Sequence, residues 1–170
     1  MIRPNPWALL QRANPSAKTI GNLVLFAAAW ELGWWFARRQ KRFAMYADAQ
    51  ALAKKLGKPL VVVGAPDRGM TRGPGCGDMV IDIDFSLCPN FVQADICKRI
   101  PLADNSAVIF VSCVLEYVSD VNAAMRELMR VSGGNLFVAR VEPWTLTAYL
   151  YPGAKRTIPG DVRPLKELSA

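Results

Sequence analysis

The chain has 170 residues, of which 52% are hydrophobic, and its formal net charge is +7. This composition excludes a disordered chain and predicts one compact domain with an appendage. The sequence contains no histidine, which excludes Ser-His-Asp and Cys-His nucleophile systems, histidine-ligated zinc and histidine general bases. We expect no metal site.

The positive charge is concentrated in the N-terminal third of the chain. Residues 1–58 carry ten Lys or Arg and two acidic residues, whereas residues 59–170 carry eleven Lys or Arg and twelve acidic residues. A nucleic-acid groove would need basic residues spread over the folded face. The distribution therefore predicts a membrane or another anionic surface as the partner and argues against nucleic acid.

Residues 20–37, IGNLVLFAAAWELGWWFA, form an apolar segment that approaches the hydrocarbon thickness of a bilayer at about 1.5 Å per residue. Three tryptophans near its end are followed by four basic residues, which is the pattern of a membrane interface with a cytoplasmic positive flank. We predict a retained single-pass transmembrane helix, with the C-terminal domain on the cytoplasmic or equivalent inner side. An interfacial helix and a removed or organellar targeting signal are the alternatives.

Glu31 is the charged side chain within this apolar segment. A carboxylate inside a bilayer costs about 2–3 kcal/mol unless it pairs or is protonated. We expect Glu31 either to reach the interface and an arginine one turn on, or to contact a partner helix, which the small residues around it would permit.

The other boundaries follow from composition and helix-stop signals. Residues 1–19 form an N-terminal segment, and residues 38–58 form a basic juxtamembrane helix that ends at a Gly-Lys-Pro sequence. An α/β domain covers residues 59–160, with a hairpin near its end at residues 144–160, and residues 161–170 form a polar tail. We expect the apolar segment and the juxtamembrane helix to form one long helix.

Five short apolar runs predict the strands of the domain. They are Leu60–Val63, Met79–Ile83, Phe91–Ala94, Ala107–Cys113 and Leu136–Val141. An amphipathic helix is predicted for Val118–Val131, capped by Ser119 or Asp120 and stopped by a Gly-Gly pair. Because the strands are almost continuously apolar, we expect a parallel sheet that is buried on both faces in an open α/β fold.

The four cysteines show no C-x-x-C pairing and lie in or beside apolar runs. They are Cys76, Cys88, Cys97 and Cys113. This pattern predicts buried, reduced thiols.

An ordered set of short motifs follows the third predicted strand. The motif residues are Asp95, Pro101-Leu102, Asp104, Val114-Leu115-Glu116, Asp120, Glu127-Leu128, Arg130-Val131 and Gly133-Gly134. In this order they resemble the middle of a class I S-adenosylmethionine-dependent methyltransferase, of the methyltransferase type 11 group that includes quinone-biosynthesis enzymes. The resemblance covers residues 59 to about 142 and implies a reduced Rossmann-like parallel sheet.

The resemblance also implies an S-adenosylmethionine site. Asp82 would accept hydrogen bonds from two ribose hydroxyls, and Asp95 would accept from the adenine amino group. Gly64 lies in the loop that would face the cofactor, and Asp67 is the displaced candidate for binding its amino group. The alternative is that Asp82 and Asp95 are ordinary turn carboxylates that bind backbone amides.

No catalytic residue is predicted. Tyr117 stands where the resembled family has a histidine, and Glu116 before it is expected to be a structural hydrogen-bonding residue rather than a base.

The loop after the first strand departs from the family pattern. No acidic residue precedes Gly64, and seven of the sixteen residues from Gly64 to Met79 are Gly or Pro, so we predict that no helix follows. The connection from Asp84 to Phe91 is too short for a helical crossover. With two helices missing, one apolar face of the sheet must be covered by the long N-terminal helix or by a protein partner.

Two functions are compatible with these features. The first is a membrane-anchored methyltransferase that acts on a lipid-soluble or membrane-adjacent substrate, and the ordered motifs favour it. The second is a methyltransferase-derived pseudoenzyme that serves as an accessory subunit of a membrane protein complex, and the altered glycine loop favours it.

Overall fold

A computed structural model describes residues 17–67 and 73–139. The elements are α1 (Ala17–Leu56), β1 (Leu60–Val63), β2 (Met79–Asp82), β3 (Phe91–Gln93), β4 (Val108–Ser112), α2 (Val121–Ser132) and β5 (Leu136–Ala139). The hairpin predicted at residues 144–160 and the predicted polar tail lie outside the described residues.

The five strands form one parallel sheet with the order β3-β2-β1-β4-β5. The chain winds outward from β1 to β3 and then returns to the other side of β1, so the order reverses between β1 and β4. Ligands of open α/β sheets bind at the carboxyl ends of the strands, beside such a reversal. The predicted α/β class and parallel sheet are confirmed, and the strand ends that fall in described residues agree with the prediction to within one residue.

Helix α1 is one continuous helix of 40 residues, as expected. The chain divides into two compact units, Met1–Ala37 and Arg38–Ala170. The part of α1 in the first unit is apolar and exposed, and α1 is long and apolar enough to cross a membrane. Membrane orientation and a single pass remain predictions.

In the second unit, residues 38–56 of α1 cover one face of the sheet. The helix buries Met45, Tyr46, Ala49, Leu52 and Ala53 in a cluster with residues of all five strands, β3 contributing the partly buried Phe91. The Tyr46 ring packs edge-on against Phe110 of β4, with 5.4 Å between ring centroids. The face left open by the missing helices is therefore covered by the chain itself, which was one of the two expected possibilities.

Helix α2 covers the opposite face through Ala124, Leu128 and Val131. The side chain of Asp120 accepts a hydrogen bond from the Ala123 amide at 3.0 Å and caps the helix, which ends at Gly133 in the left-handed conformation. The predicted start at Val118 was three residues too early, because the residues before Asp120 form a turn.

The β1–β2 connection contains no helix in its described residues, 64–67 and 73–78. Its glycines are instead needed for close packing. A Cβ atom on Gly75 would lie 2.5 Å from the Tyr46 hydroxyl oxygen, and one on Gly77 would lie 2.6 Å from the Leu60 carbonyl oxygen. The Gly77 amide also donates a hydrogen bond to the Tyr46 hydroxyl at 3.0 Å. Gly75 and Gly77 are therefore required by packing, independently of any ligand.

The prediction of four reduced cysteines is wrong for two of them. Cys76 and Cys88 form a disulfide, whereas Cys97 and Cys113 are free thiols. The disulfide joins the β1–β2 connection to the β2–β3 connection, on the face of the sheet that α1 covers. The sequence carries no C-x-x-C signal for this pair, because the two cysteines are 12 residues apart and meet only when both helix-free connections fold onto the same face.

The packing of the glycine loop predicts different costs for two glycines of similar backbone conformation. Gly77→Ala should lower the free energy of unfolding by about 2 kcal/mol or more, because both the positive φ and the nearby Leu60 carbonyl oppose a Cβ atom. Gly57→Ala is the matched control, since Gly57 has a φ of +62° but no atom within 4 Å of its Cβ position, and it should cost about 1 kcal/mol. Denaturant unfolding of the full chain in detergent measures both, and equal costs would contradict the packing role of Gly77.

Candidate functional site

The carboxyl ends of the first three strands bring together three of the four predicted site residues. Gly64 follows β1, Asp82 ends β2, and Asp95 lies two residues beyond β3. The Gly64 amide donates to the Ile81 carbonyl and the Ala94 amide donates to the Asp82 carbonyl, each at 2.9 Å. These bonds place the three residues side by side along one edge of the sheet, next to the reversal in strand order.

The Asp82 carboxylate joins the segments that follow β1 and β2. Its Oδ2 atom accepts a hydrogen bond from the Ala65 amide at 2.6 Å, and its Oδ1 atom accepts one from the Asp84 amide at 2.8 Å. A carboxylate offers about four acceptor positions, two on each oxygen. Asp82 is therefore fixed by the backbone and still has the capacity to accept from two neighbouring hydroxyls.

Asp95 shapes the turn after β3. Its Oδ1 atom accepts a hydrogen bond from the Cys97 amide at 2.9 Å, and its Oδ2 atom lies 3.7 Å from the Lys98 ammonium. The backbone bonding expected under the alternative interpretation is thus present at both Asp82 and Asp95. Cofactor binding by these residues stays a prediction.

Asp67 is directed away from this group, toward the β2–β3 connection. Its carboxylate accepts hydrogen bonds from the Ser86 hydroxyl at 2.6 Å and from the Leu87 amide at 2.7 Å. These bonds join the same two connections that the Cys76–Cys88 disulfide links. In this structure the Asp67 carboxylate therefore holds the β1–β2 connection against the β2–β3 connection.

Gly64 lies where the loops after β1 and β4 pass each other. It has a φ of +98°, and a Cβ atom there would lie 2.5 Å from Val114 Cγ2 and 3.2 Å from the Ser112 carbonyl oxygen. Only glycine suits both this conformation and this spacing. Gly64 therefore permits the close approach of β1 and β4 at the reversal.

Two further residues at this edge were not predicted as site residues. Cys113 directly follows β4 and has a φ of +55°, and its Sγ atom lies 3.6 Å from Nη1 of Arg42, which donates to it. Burial raises the pKa of the Cys113 thiol, an effect that the positive charge of Arg42 partly opposes. The raised pKa favours the protonated thiol at neutral pH. The one sequence feature that could have pointed to Cys113 as a residue of this edge is its position at the end of a predicted strand.

The comparison with known protein families agrees with this geometry. Residues 77–138 match the family model described as a methyltransferase domain. Over these residues the α/β domain is similar to a methyltransferase domain. The match begins just before β2 and ends within β5, so Gly64 and α1 lie outside it. No curated protein and no solved structure matches the chain significantly.

In the α/β domain, the side chains of the motif residues Glu127 and Arg130 hold in place the loop that carries Asp95. Glu127 accepts a hydrogen bond from the Ile100 amide at 2.7 Å, and Arg130 donates to Glu127 and to the Ile100 and Leu102 carbonyls. These bonds hold the loop after β3 against α2. The motif residues therefore have a structural role here.

Glu116 of the same motif set is 4% exposed, and the structural hydrogen-bonding role expected for it stays a prediction. Its neighbour Tyr117 is exposed, and both belong to the turn that links β4 to α2.

The Glu127 contacts predict an acid-dependent loss of stability. Hydrogen bonds from Arg130 hold the pKa of Glu127 below its ordinary value of 4.5. The ionised carboxylate therefore stabilises the fold above that value, and the contribution is lost as the pH falls through the lower pKa of the folded state. Glu127→Gln should reduce the melting temperature at pH 7, and the difference from the unchanged chain should shrink as the pH falls below about 4. Arg126→Gln on the same helix is the control, and a difference that stays constant with pH would contradict this role for Glu127.

Proposed function

We propose that this protein is a membrane-anchored methyltransferase-like protein that binds S-adenosylmethionine at the carboxyl edge of its sheet, chiefly through the adenosine half. The observation that supports this proposal is the alignment of Gly64, Asp82 and Asp95 on adjacent parallel strands, next to the reversal of strand order. The apolar part of α1 would hold the domain at a membrane and so favour a lipid-soluble or membrane-adjacent substrate.

The residues present fit an adenosine group. Asp82 would accept from the two ribose hydroxyls, and its bonds to the Ala65 and Asp84 amides hold its carboxylate in a fixed orientation. Ile83 follows directly and is 61% exposed, which offers an apolar surface for the flat face of the base. Asp95 would accept from the adenine amino group.

When bound, S-adenosylmethionine supplies an electrophilic methyl group. Transfer of that group depends mainly on holding the acceptor in line with it. The role of the chain is to bind and orient the adenosine half, with Asp82 held by the backbone and the Asp95 loop held by Glu127 and Arg130. The membrane-associated helix would limit the directions from which an acceptor approaches.

A second candidate function is a pseudoenzyme that serves as an accessory subunit of a membrane protein complex. The engagement of Asp67 with Ser86 and Leu87 favours it, together with the packing role of Gly75 and Gly77. In this case the edge would bind a nucleoside at most, and the methionine end of the cofactor would have no dedicated partner.

Calorimetric titration of the full chain in detergent tests the first proposal. S-Adenosylmethionine should bind, and Asp82→Asn should weaken binding by about tenfold or more because it removes the charged acceptor. Asp95→Asn should weaken it less, and Asp48→Asn on α1 should leave it unchanged. Absence of heat at millimolar cofactor with folded protein would overturn the proposal. Binding of adenosine without measurable binding of S-adenosylmethionine would favour the pseudoenzyme.

A further inference from the structure

A shallow basic cleft lies between the loop after β3 and helix α2. Its volume is about 360 Å³. The residues that form its walls are Cys97, Lys98, Arg99, Ala123, Arg126, Glu127 and Arg130. The cleft is separate from Gly64 and Asp82.

The charges of the cleft leave an excess of positive groups. Glu127 and Asp104 both pair with Arg130, so these three groups together carry one net negative charge. The remaining cations are Lys98, Arg99 and Arg126. Lys98 has Asp95 at 3.7 Å, but its side chain is 81% exposed, so this contact neutralises little of its charge. Residues 59–170 as a whole carry one more acidic than basic residue, so the excess is local.

The walls of the cleft are held at a fixed spacing. The Ile100 amide donates to Glu127, and Arg130 donates to the Ile100 and Leu102 carbonyls. These bonds fix the backbone beside Arg99 against the helix that carries Arg126. Cations held close together repel one another, and an anion bound between them removes that cost. A rigid arrangement also reduces the entropy lost on binding.

We propose that this cleft binds a phosphate-bearing group, either free or as the headgroup of an anionic lipid. Guanidinium groups match phosphate oxygens in geometry as well as charge, and the cleft draws one arginine, Arg99, from the loop and another, Arg126, from α2. The volume accommodates a phosphate or a diphosphate. S-Adenosylmethionine carries no phosphate, so this site would bind a different ligand, although its Lys98 lies 3.7 Å from the Asp95 carboxylate.

Titration of the full chain in uncharged detergent with inorganic pyrophosphate tests the free ligand. The double variant Arg99→Gln/Arg126→Gln should weaken binding by about tenfold or more, since two charge-assisted contacts are lost. Both side chains are exposed, so the fold should be retained. Lys54→Gln/Lys55→Gln removes the same charge from exposed positions on α1 and should leave the affinity unchanged.

Native mass spectrometry of the same variants with phosphatidic acid or phosphatidylcholine tests the lipid source. Retention of phosphatidic acid that is lost in the arginine variant, without retention of phosphatidylcholine, identifies a lipid headgroup site. Binding of pyrophosphate alone identifies a site for a free phosphate compound. Binding of neither ligand, or equal losses in the arginine and lysine variants, would overturn the proposal.

Discussion

The burial of one sheet face by residues 38–56 of α1 is the constraint on which the rest of the domain depends. A parallel sheet has two apolar faces, and each must be covered. Met45, Ala49 and Leu52 are buried on this face, and burying a side chain of Leu or Met size contributes about 1.5–3 kcal/mol. The helix therefore supplies, within the same chain, the cover that crossover helices would give, and the described residues of the β1–β2 and β2–β3 connections contain no such helix.

The docked helix also determines the form of the two helix-free connections. Tyr46 lies against Gly75 and accepts a hydrogen bond from the Gly77 amide, so the β1–β2 connection must approach α1 closely. The Cys76–Cys88 disulfide and the Asp67 carboxylate then join this connection to the next one.

The disulfide and the hydrogen bonds that join the two connections lie close to the candidate site in the chain. The linked connections flank β2, and Asp82 at its end accepts hydrogen bonds from the backbone on both sides. The contacts that hold the two connections together thus act on the same segments whose backbone fixes the orientation of the Asp82 carboxylate.

Much of the fold could be predicted from the sequence, because local patterns determine it. The apolar runs marked the strands, and Asp120 and the Gly-Gly pair marked the ends of α2. The density of Gly and Pro predicted that no helix follows β1, and the described residues of that connection contain none. The disulfide and the direction of Asp67 could not be predicted, since both depend on contacts between segments that are distant in sequence. For the same reason, the contact between Arg42 and Cys113, 71 residues apart, left no local signal.

Amide hydrogen exchange of the full chain in detergent tests the central role of α1 most directly. If residues 45–53 are an integral part of the core, their amides should exchange only through global unfolding, with the same protection free energy as the amides of β4. Exchange of residues 45–53 at a much lower free energy than β4 would show that the sheet is stable without the helix and would contradict this account.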